Sequence, residues 1–442
     1  MTPATDKELQ ADSLPASAHR PISVMLGPNA GGENGPMSIQ IDLKSAVLAL
    51  SDALDLVGVN DFQHGKRVAV MAREIGSALG LPERRLDDLL CAGLLHDIGV
   101  SCTTEQQRLA WEWEWAGREA HCRRGHHLLR PFAHLSRLAE TVRYHHTPWV
   151  DLPDYLSESD ALHANLILLA DRVDALLLQR GLDNPLALRD GICADIGATA
   201  DRALNPDVFA AFRAAAAREA FWIGLAPRHV LRYLGDMALP EWRITIDFPQ
   251  FRPVARLVSS IVDAKSPFTA SHSLGVALLA RHLGERLGLS DDDAFQVEIA
   301  GLMHDVGKLC VPDEIVEKPA RLTATEFSVM ERHSFETYQI LRHIPGMETI
   351  AEWAAFHHEA LNGRGYPFRH GAERLRREAR IVAVADVFQA LSQTRPYRGA
   401  HPPEEIPRLL DGFVARGVLD PDVVAVACGD LENCWRAATQ GT

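Results

Sequence analysis

Two nine-residue segments of this chain, AGLLHDIGV at 92–100 and AGLMHDVGK at 300–308, share six identical positions, and the residues around them recur in the same order. A histidine stands 32 residues before each His-Asp pair, His64 before His96 and His272 before His304, with an LGL triplet between them at 79–81 and 287–289. Downstream, His121 precedes His145-His146 by 24 residues, and His333 precedes His357-His358 by the same 24. Asp171 and Asp386 then follow in apolar runs, and 35 residues past each lies a proline, Pro206 in LNPDV and Pro421 in LDPDV. The step from the His-Asp pair to the next histidine differs, 25 residues against 29. One matched spacing arises by chance; an ordered set marks a tandem duplication.

The two copies occupy 37–240 and 241–442, meeting near Pro240 just before RITIDF, which mirrors SIQIDL. At 442 residues the chain has room for two such domains, each with its own core. Stretches such as AVLALSDALDLVG and HGKRVAVMAREIGSALG place apolar residues three and four apart, the spacing of a buried helix face, while strand-like alternation appears only in SIQID and RITID. The expected fold is all-α, with short strand-like segments at the domain starts. Residues 1–36, rich in Pro, Gly, Ser and Asn with no hydrophobic period, read as a flexible leader.

Composition narrows the function classes. No apolar run approaches the roughly 18 residues of a membrane span, so no membrane role is expected. A formal charge of −14 opposes general nucleic-acid binding. The opening MTPATDKELQ lacks the basic and apolar segments of a secretory signal, which makes the cytoplasm the expected compartment. Seven cysteines (Cys91, Cys102, Cys122, Cys193, Cys310, Cys428 and Cys434) include no CxxC pair and read as buried, reduced thiols rather than disulfides or a thiolate zinc site.

An isolated histidine is most often a hydrogen-bonded core or surface residue. The repeated set asks for another explanation, because neutral imidazoles and carboxylates are ligands for divalent Fe, Mn or Zn, and a carboxylate can bridge two ions that would otherwise repel. Six or seven such ligands suit two metals. Two ions can hold a water whose pKa falls from about 15.7 toward about 7, direct it at phosphorus and neutralise developing charge. The chemistry expected is phosphoester hydrolysis.

Both copies resemble HD-domain metal-dependent phosphohydrolases, and the second is similar to an HD-GYP domain. The resemblance rests on SPFTASHS around His272, HDVGK at 304–308, KPARLTATE at 318–326, ERHSFETYQIL at 331–341, HHEALNGRGYP at 357–367 and ADVFQALSQTRPYR at 385–398. It implies hydrolysis of a cyclic dinucleotide, usually cyclic di-GMP and alternatively cyclic GMP-AMP, to a linear dinucleotide or mononucleotide. It also implies a non-haem iron or manganese centre. Carried over by motif, His272, His304, Asp305, His333, His357, His358 and Asp386 would be the metal ligands, with Asp305 bridging. Some relatives hold a third metal through a glutamate four residues before the first histidine; Phe268 stands there, so two metals are expected.

Around that centre, Lys308 follows Asp305 by three residues, where an ammonium could hold a phosphate oxygen and offset transition-state charge. The GRGYP turn supplies Gly363 and Gly365 for tight backbone geometry and Tyr366 to pack on a base or bond a phosphate. Arg395 and Arg398 match family positions that contact phosphates or guanine, partners suited to planar guanidinium forks. Two departures bear on substrate preference: Gly275 where many members have arginine, and Asn362 where many have aspartate. A signalling-protein partner at the GYP loop and a homodimer are further expectations.

The first copy keeps a parallel set, His64, His96, Asp97, His121, His145, His146 and Asp171, for a second metal site. It has Val100 in place of the lysine and HHTPWVDLP in place of the GYP turn, and reads as a regulatory or degenerate domain. Its WEWEW run (Trp111, Trp113, Trp115) reads as core or interdomain filling. The other readings are a non-catalytic nucleotide- or protein-binding signalling module and an HD-fold di-iron oxygenase. The complete second ligand set argues against the former, and Lys308 with the two arginines argues against the latter.

Overall fold

The computed structural model describes residues 41–57, 63–100, 102–111, 117–242, 244–265, 271–394 and 399–440, the side chains at 107, 110, 111 and 241 excepted. The leader, Phe268, Arg395, Arg398 and the side chains of the WEWEW run lie outside the described residues.

The all-α expectation holds: the described residues form twenty-one α-helices and one two-stranded ladder. That ladder joins the mirrored segments, Ile41–Asp42 pairing antiparallel with Thr245–Ile246 in the register Ile41 to Ile246. An aspartate at the end of the first strand and one directly after the second start the helices that follow. Asp42 accepts from the Ser45 N–H at 2.9 Å and opens Leu43–Leu54. Asp247 forms a capping box with Gln250 and opens Phe248–Asp263. The repeated Ile-Asp is therefore a strand end and a helix cap in one.

Ile39–Thr442 form one compact unit. The opening helix of the first copy turns Ala46, Ala49, Leu50 and Ala53 toward Phe251, Val254, Met303 and Ile340 of the second, across a small apolar cavity.

The glycines of the repeated motif set the distances on which the site depends. A Cβ at Gly93 would lie 2.5 Å from the Ala69 Cα, and one at Gly301 2.7 Å from the Ala277 Cα. In each copy, the helix ending at the His-Asp pair therefore packs backbone to backbone against the helix carrying the first histidine, His64–Ala78 or His272–Arg286. A Cβ at Gly99 would fall 2.0 Å from the His121 carbonyl oxygen, and at Gly307 1.9 Å from that of His333. Neither contact is sterically admissible with a side chain present.

Candidate metal centres

In the second copy, five elements bring seven side chains to one place. His272 opens the helix His272–Arg286, and His304 and Asp305 follow the helix Asp291–Met303. His333 lies on Ala324–Leu341, His357 and His358 on the turn Phe356–His358, and Asp386 on Arg377–Ser392. Asp305 sits between two groups of imidazoles. Its Oδ2 lies 3.5 Å from His272 Nε2 and 3.1 Å from His304 Nε2, while its Oδ1 lies 3.6 Å from His333 Nε2 and 3.8 Å from His357 Nε2. Asp386 Oδ1 closes the first group, 3.3 Å from His272 Nε2 and 3.9 Å from His304 Nε2. His358 joins the second, its ring centroid 5.1 Å from that of His333. One carboxylate thus offers an oxygen to each of two ligand groups, His272–His304–Asp386 and His333–His357–His358.

Backbone carbonyls fix the tautomers. The Nδ1–H groups of His304, His333 and His357 donate to the carbonyls of Gly301, Met330 and Ala354 at 2.8, 2.6 and 2.6 Å, and that of His272 donates to Gln389 Oε1 at 2.5 Å. Every Nε2 lone pair is left facing inward, the arrangement metal-bound histidines adopt. The centre is almost dry: His304 and His333 are fully buried and Asp305 is 2% exposed. His304 Nε2 and Asp305 Oδ1 are nevertheless buried with no hydrogen-bond partner, a cost of about 1–3 kcal/mol for each polar atom unless something binds there. A divalent cation satisfies both atoms, so the donor set fits a metal.

The protonation states agree. Burial presses His333, His357 and His358 down from the usual histidine value, to about 3 for His333 and about 4 for His358. Burial alone would raise Asp305, but His304 and Lys308 outweigh it and hold the carboxyl well below its usual range. Contacts with His272 do the same for Asp386. Neutral imidazoles and ionised carboxylates are the forms that ligate.

Lys308 is beside this centre, its Nζ 2.5 Å from Asp305 Oδ2. The GYP turn folds back over the histidines, the Tyr366 N–H donating to the His358 carbonyl at 3.2 Å and the Tyr366 ring centroid lying 4.8 Å from that of His358. Gly365 has no room for a side chain, because a Cβ would meet His358 O, Glu359 Cα and Ala360 N at 2.5 Å. Gly363 adopts φ +71°, a left-handed conformation suited to glycine. Glu359, absent from the sequence expectations, anchors the turn by accepting from the Phe368 and His370 N–H groups at 2.6 and 2.9 Å. Burial, then Asp386 and Asp305, raise the Tyr366 phenol, which stays a hydrogen-bond donor at neutral pH.

Both departures from the family pattern have structural causes. A Cβ at Gly275 would lie 2.3 Å from the Ala438 carbonyl oxygen, so the terminal helix Leu431–Thr439 occupies the space an arginine would need. Asn362 donates its amide to the Arg416 carbonyl at 2.7 Å, a bond an ionised aspartate cannot make.

The first copy repeats the construction. Asp97 Oδ2 lies 3.8 Å from His64 Nε2 and 3.5 Å from His96 Nε2, and its Oδ1 lies 3.4 Å from His121 Nε2 and 3.7 Å from His145 Nε2. Asp171 reaches His64 Nε2 at 3.5 Å and His146 Nδ1 at 3.7 Å. The surroundings differ. His64 Nδ1 donates to Asp174 at 2.7 Å, and buried Arg67 grips that carboxylate with Nε and Nη2 at 2.6 and 2.9 Å; the matching positions in the second copy are Gln389 and Gly275. Val100, where Lys308 stands in the other copy, is buried. Cys122 approaches His121 Nε2 to 3.5 Å, where the second copy has Ser334. Burial would raise its thiol, but His145 and His121 outweigh burial and bring it down to about 6. The seven cysteines are free, as expected, but only Cys91, Cys122 and Cys434 are buried; Cys102, Cys193, Cys310 and Cys428 are half-buried, which corrects the expectation of buried thiols throughout.

Fold and paired His/Asp clusters together define a tandem HD-domain phosphohydrolase. Family models described as "HD domain" match residues 61–176 and 256–423. Over 402 residues the chain is 34% identical to 3'3'-cGAMP-specific phosphodiesterase 1 of Vibrio cholerae, covering 90% of this chain and 93% of that protein. A 160-residue stretch is 36% identical to a cyclic di-GMP phosphodiesterase of Pseudomonas aeruginosa, covering 35% of this chain and 37% of that one. A crystal structure of a cyclic GMP-AMP-specific phosphodiesterase of V. cholerae shares the fold, with TM-score 0.62 at 23% identity over 89% of this chain and 98% of that one. The chain belongs to the HD-GYP family of cyclic-dinucleotide phosphodiesterases, and carries two HD domains in tandem. Among the described residues no helix is long and apolar enough to cross a membrane.

Proposed function

We propose that the second copy hydrolyses 3'3'-linked cyclic GMP-AMP at a two-metal centre held by His272, His304, Asp305, His333, His357, His358 and Asp386, and that the first copy is non-catalytic. The observation that carries this reading is Asp305, with one oxygen toward each imidazole group and Lys308 on the same carboxylate. The substrate preference revises the sequence expectation of cyclic di-GMP. Similarity to the relative named for 3'3'-cGAMP runs along nearly the whole chain, while the relative named for cyclic di-GMP matches about a third of it.

Two divalent ions, iron or manganese, would supply Lewis acidity toward the phosphate and an acidified water at neutral pH. The remaining work falls to the chain. Asp305 sets the separation of the two ligand groups. Lys308, only partly buried, presents its ammonium to a non-bridging phosphate oxygen and offsets the charge that grows in the transition state. Tyr366 donates its phenol to phosphate or packs on a base, with Gly363 and Gly365 shaping its turn. Arg395 and Arg398 provide guanidinium forks for phosphate or guanine. Val100 leaves the first copy without an equivalent ammonium, and HHTPWVDLP stands where the GYP turn would be.

Hydrolysis of both cyclic dinucleotides by iron- or manganese-loaded protein tests the reading. The expected result is a larger kcat/KM for cyclic GMP-AMP. A preference for cyclic di-GMP would reverse the substrate assignment, and hydrolysis of neither by metal-loaded protein would remove it.

A further inference from the structure

The second ligand group of the first copy is not a copy of its counterpart. His121, Cys122, His145 and His146 each place one donor atom within 4.8 Å of the other three, and all four residues are buried. His146 is 7% exposed, yet neither of its ring nitrogens has a hydrogen-bond partner, and His121 Nδ1 and Asp97 Oδ1 are likewise buried without one. An imidazole with neither nitrogen hydrogen-bonded, His146, and the orphaned Asp97 Oδ1 beside one sulfur are a costly arrangement for a site that binds nothing.

Two of the spacings match the edges of a tetrahedron around one ion, and all four donor atoms lie within 4.8 Å of one another. Bonds of about 2.0–2.1 Å to nitrogen and about 2.3 Å to sulfur put neighbouring nitrogens about 3.3–3.4 Å apart, and nitrogen and sulfur about 3.5–3.6 Å apart. His121 Nε2 lies 3.4 Å from His145 Nε2 and 3.5 Å from Cys122 Sγ.

We propose that His121, Cys122, His145 and His146 form a closed thiolate site that holds zinc in the first copy. Three imidazoles and a thiolate, with Asp97 Oδ1 3.4 Å from His121 Nε2, leave no open position, the mark of a structural zinc site, whereas the matching group of the second copy has Ser334 in place of the cysteine and so one protein ligand fewer. A thiolate selects zinc over the harder manganese and donates more charge to the ion, which lowers its Lewis acidity. Binding converts the Cys122 thiol, which donates to the Arg118 carbonyl at 3.4 Å, to a thiolate and releases one proton to solvent. The first copy becomes a metal-stapled element, and its missing lysine and GYP turn have the same meaning as its cysteine. The proposal rests on the reading that these imidazole groups bind metal, and goes beyond it in ligand and ion.

Cobalt(II) separates the two. Full-length protein loaded with cobalt should show a sulfur-to-cobalt charge-transfer band in the near ultraviolet, and Cys122→Ser should lose it. Zinc retention against a chelator should fall on the order of a hundredfold in that variant. Zinc X-ray absorption on the wild type, with a sulfur scatterer at about 2.3 Å, stands even if the variant fails to fold. Cobalt bound with no such band, or a band that survives Cys122→Ser, overturns the cysteine site and leaves the metal reading intact. No cobalt bound anywhere overturns both.

Discussion

The two HD copies differ less in their metal-facing residues than in what stands one residue further out. Both place an aspartate between two imidazole groups, Asp97 or Asp305. The first copy then invests in rigidity. Arg67 and Asp174 form a buried ion pair behind His64, Val100 puts a buried methyl-bearing side chain where the lysine would stand, and Cys122 adds a soft donor. The second copy invests in charge and in a covering turn. A neutral Gln389 backs His272, Lys308 stands on the bridging carboxylate, and the GYP turn lays Tyr366 beside the histidines. Duplication keeps the His/Asp frame, and the exchanges lie among its neighbours.

The largest effect expected from breaking this comparison is in the first copy. Arg67→Ala leaves the fully buried Asp174 carboxylate without its guanidinium, and denaturant unfolding should record a loss of about 3–5 kcal/mol. Lys308→Val gives the second copy the residue of the first. Steady-state kinetics should show kcat lower by about a hundred- to a thousandfold with metal content retained, the scale of removing one donor aimed at transition-state charge.

A smaller effect separates the copies by pH. His163 on the helix Glu158–Arg180 is buried, and burial, then Arg85, lowers its pKa to about 4. Glu378 stands at the matching position of the second copy, eight residues before Asp386. The unfolded chain takes up a proton near 6.5 that folded His163 refuses until about pH 4, so stability falls as pH drops through that window. At pH 5.5 the loss is about 1.4 kcal/mol, and thermal melts of His163→Leu at pH 7.5 and 5.5 should differ by that much less than those of the wild type. Last, Asn362→Asp removes the donor to the Arg416 carbonyl and should cost about 1 kcal/mol, read as a small drop in melting temperature.

The duplication, the helical fold, the strand-like segments and both His/Asp clusters were legible in the sequence, because helix packing and a shared cluster geometry make the same residues recur at fixed intervals. Gly93, Gly99, Gly301 and Gly307 belong to that legible part, since each sits where two backbones touch. What the intervals did not disclose depends on distant chain segments. Gly275 is explained only by the Ala438 carbonyl, 163 residues away, and Asn362 only by that of Arg416. Cys122 looked like an ordinary core thiol because the CxxC rule addresses cysteine pairs. Laying His121-Cys122 over His333-Ser334 is the signal that exposes it. Asp174 and Gln389 were visible in the same way, three residues past each helix aspartate.

The central claim is that hydrolysis belongs to the copy in which a bridging carboxylate and an ammonium meet. Turnover of cyclic GMP-AMP by metal-loaded Asp305→Ala and Asp97→Ala, measured beside the wild type, tests it most directly. The account predicts a loss of at least about a hundredfold for Asp305→Ala and near wild-type turnover for Asp97→Ala. Equal losses in both variants, or a loss confined to Asp97→Ala, would contradict it.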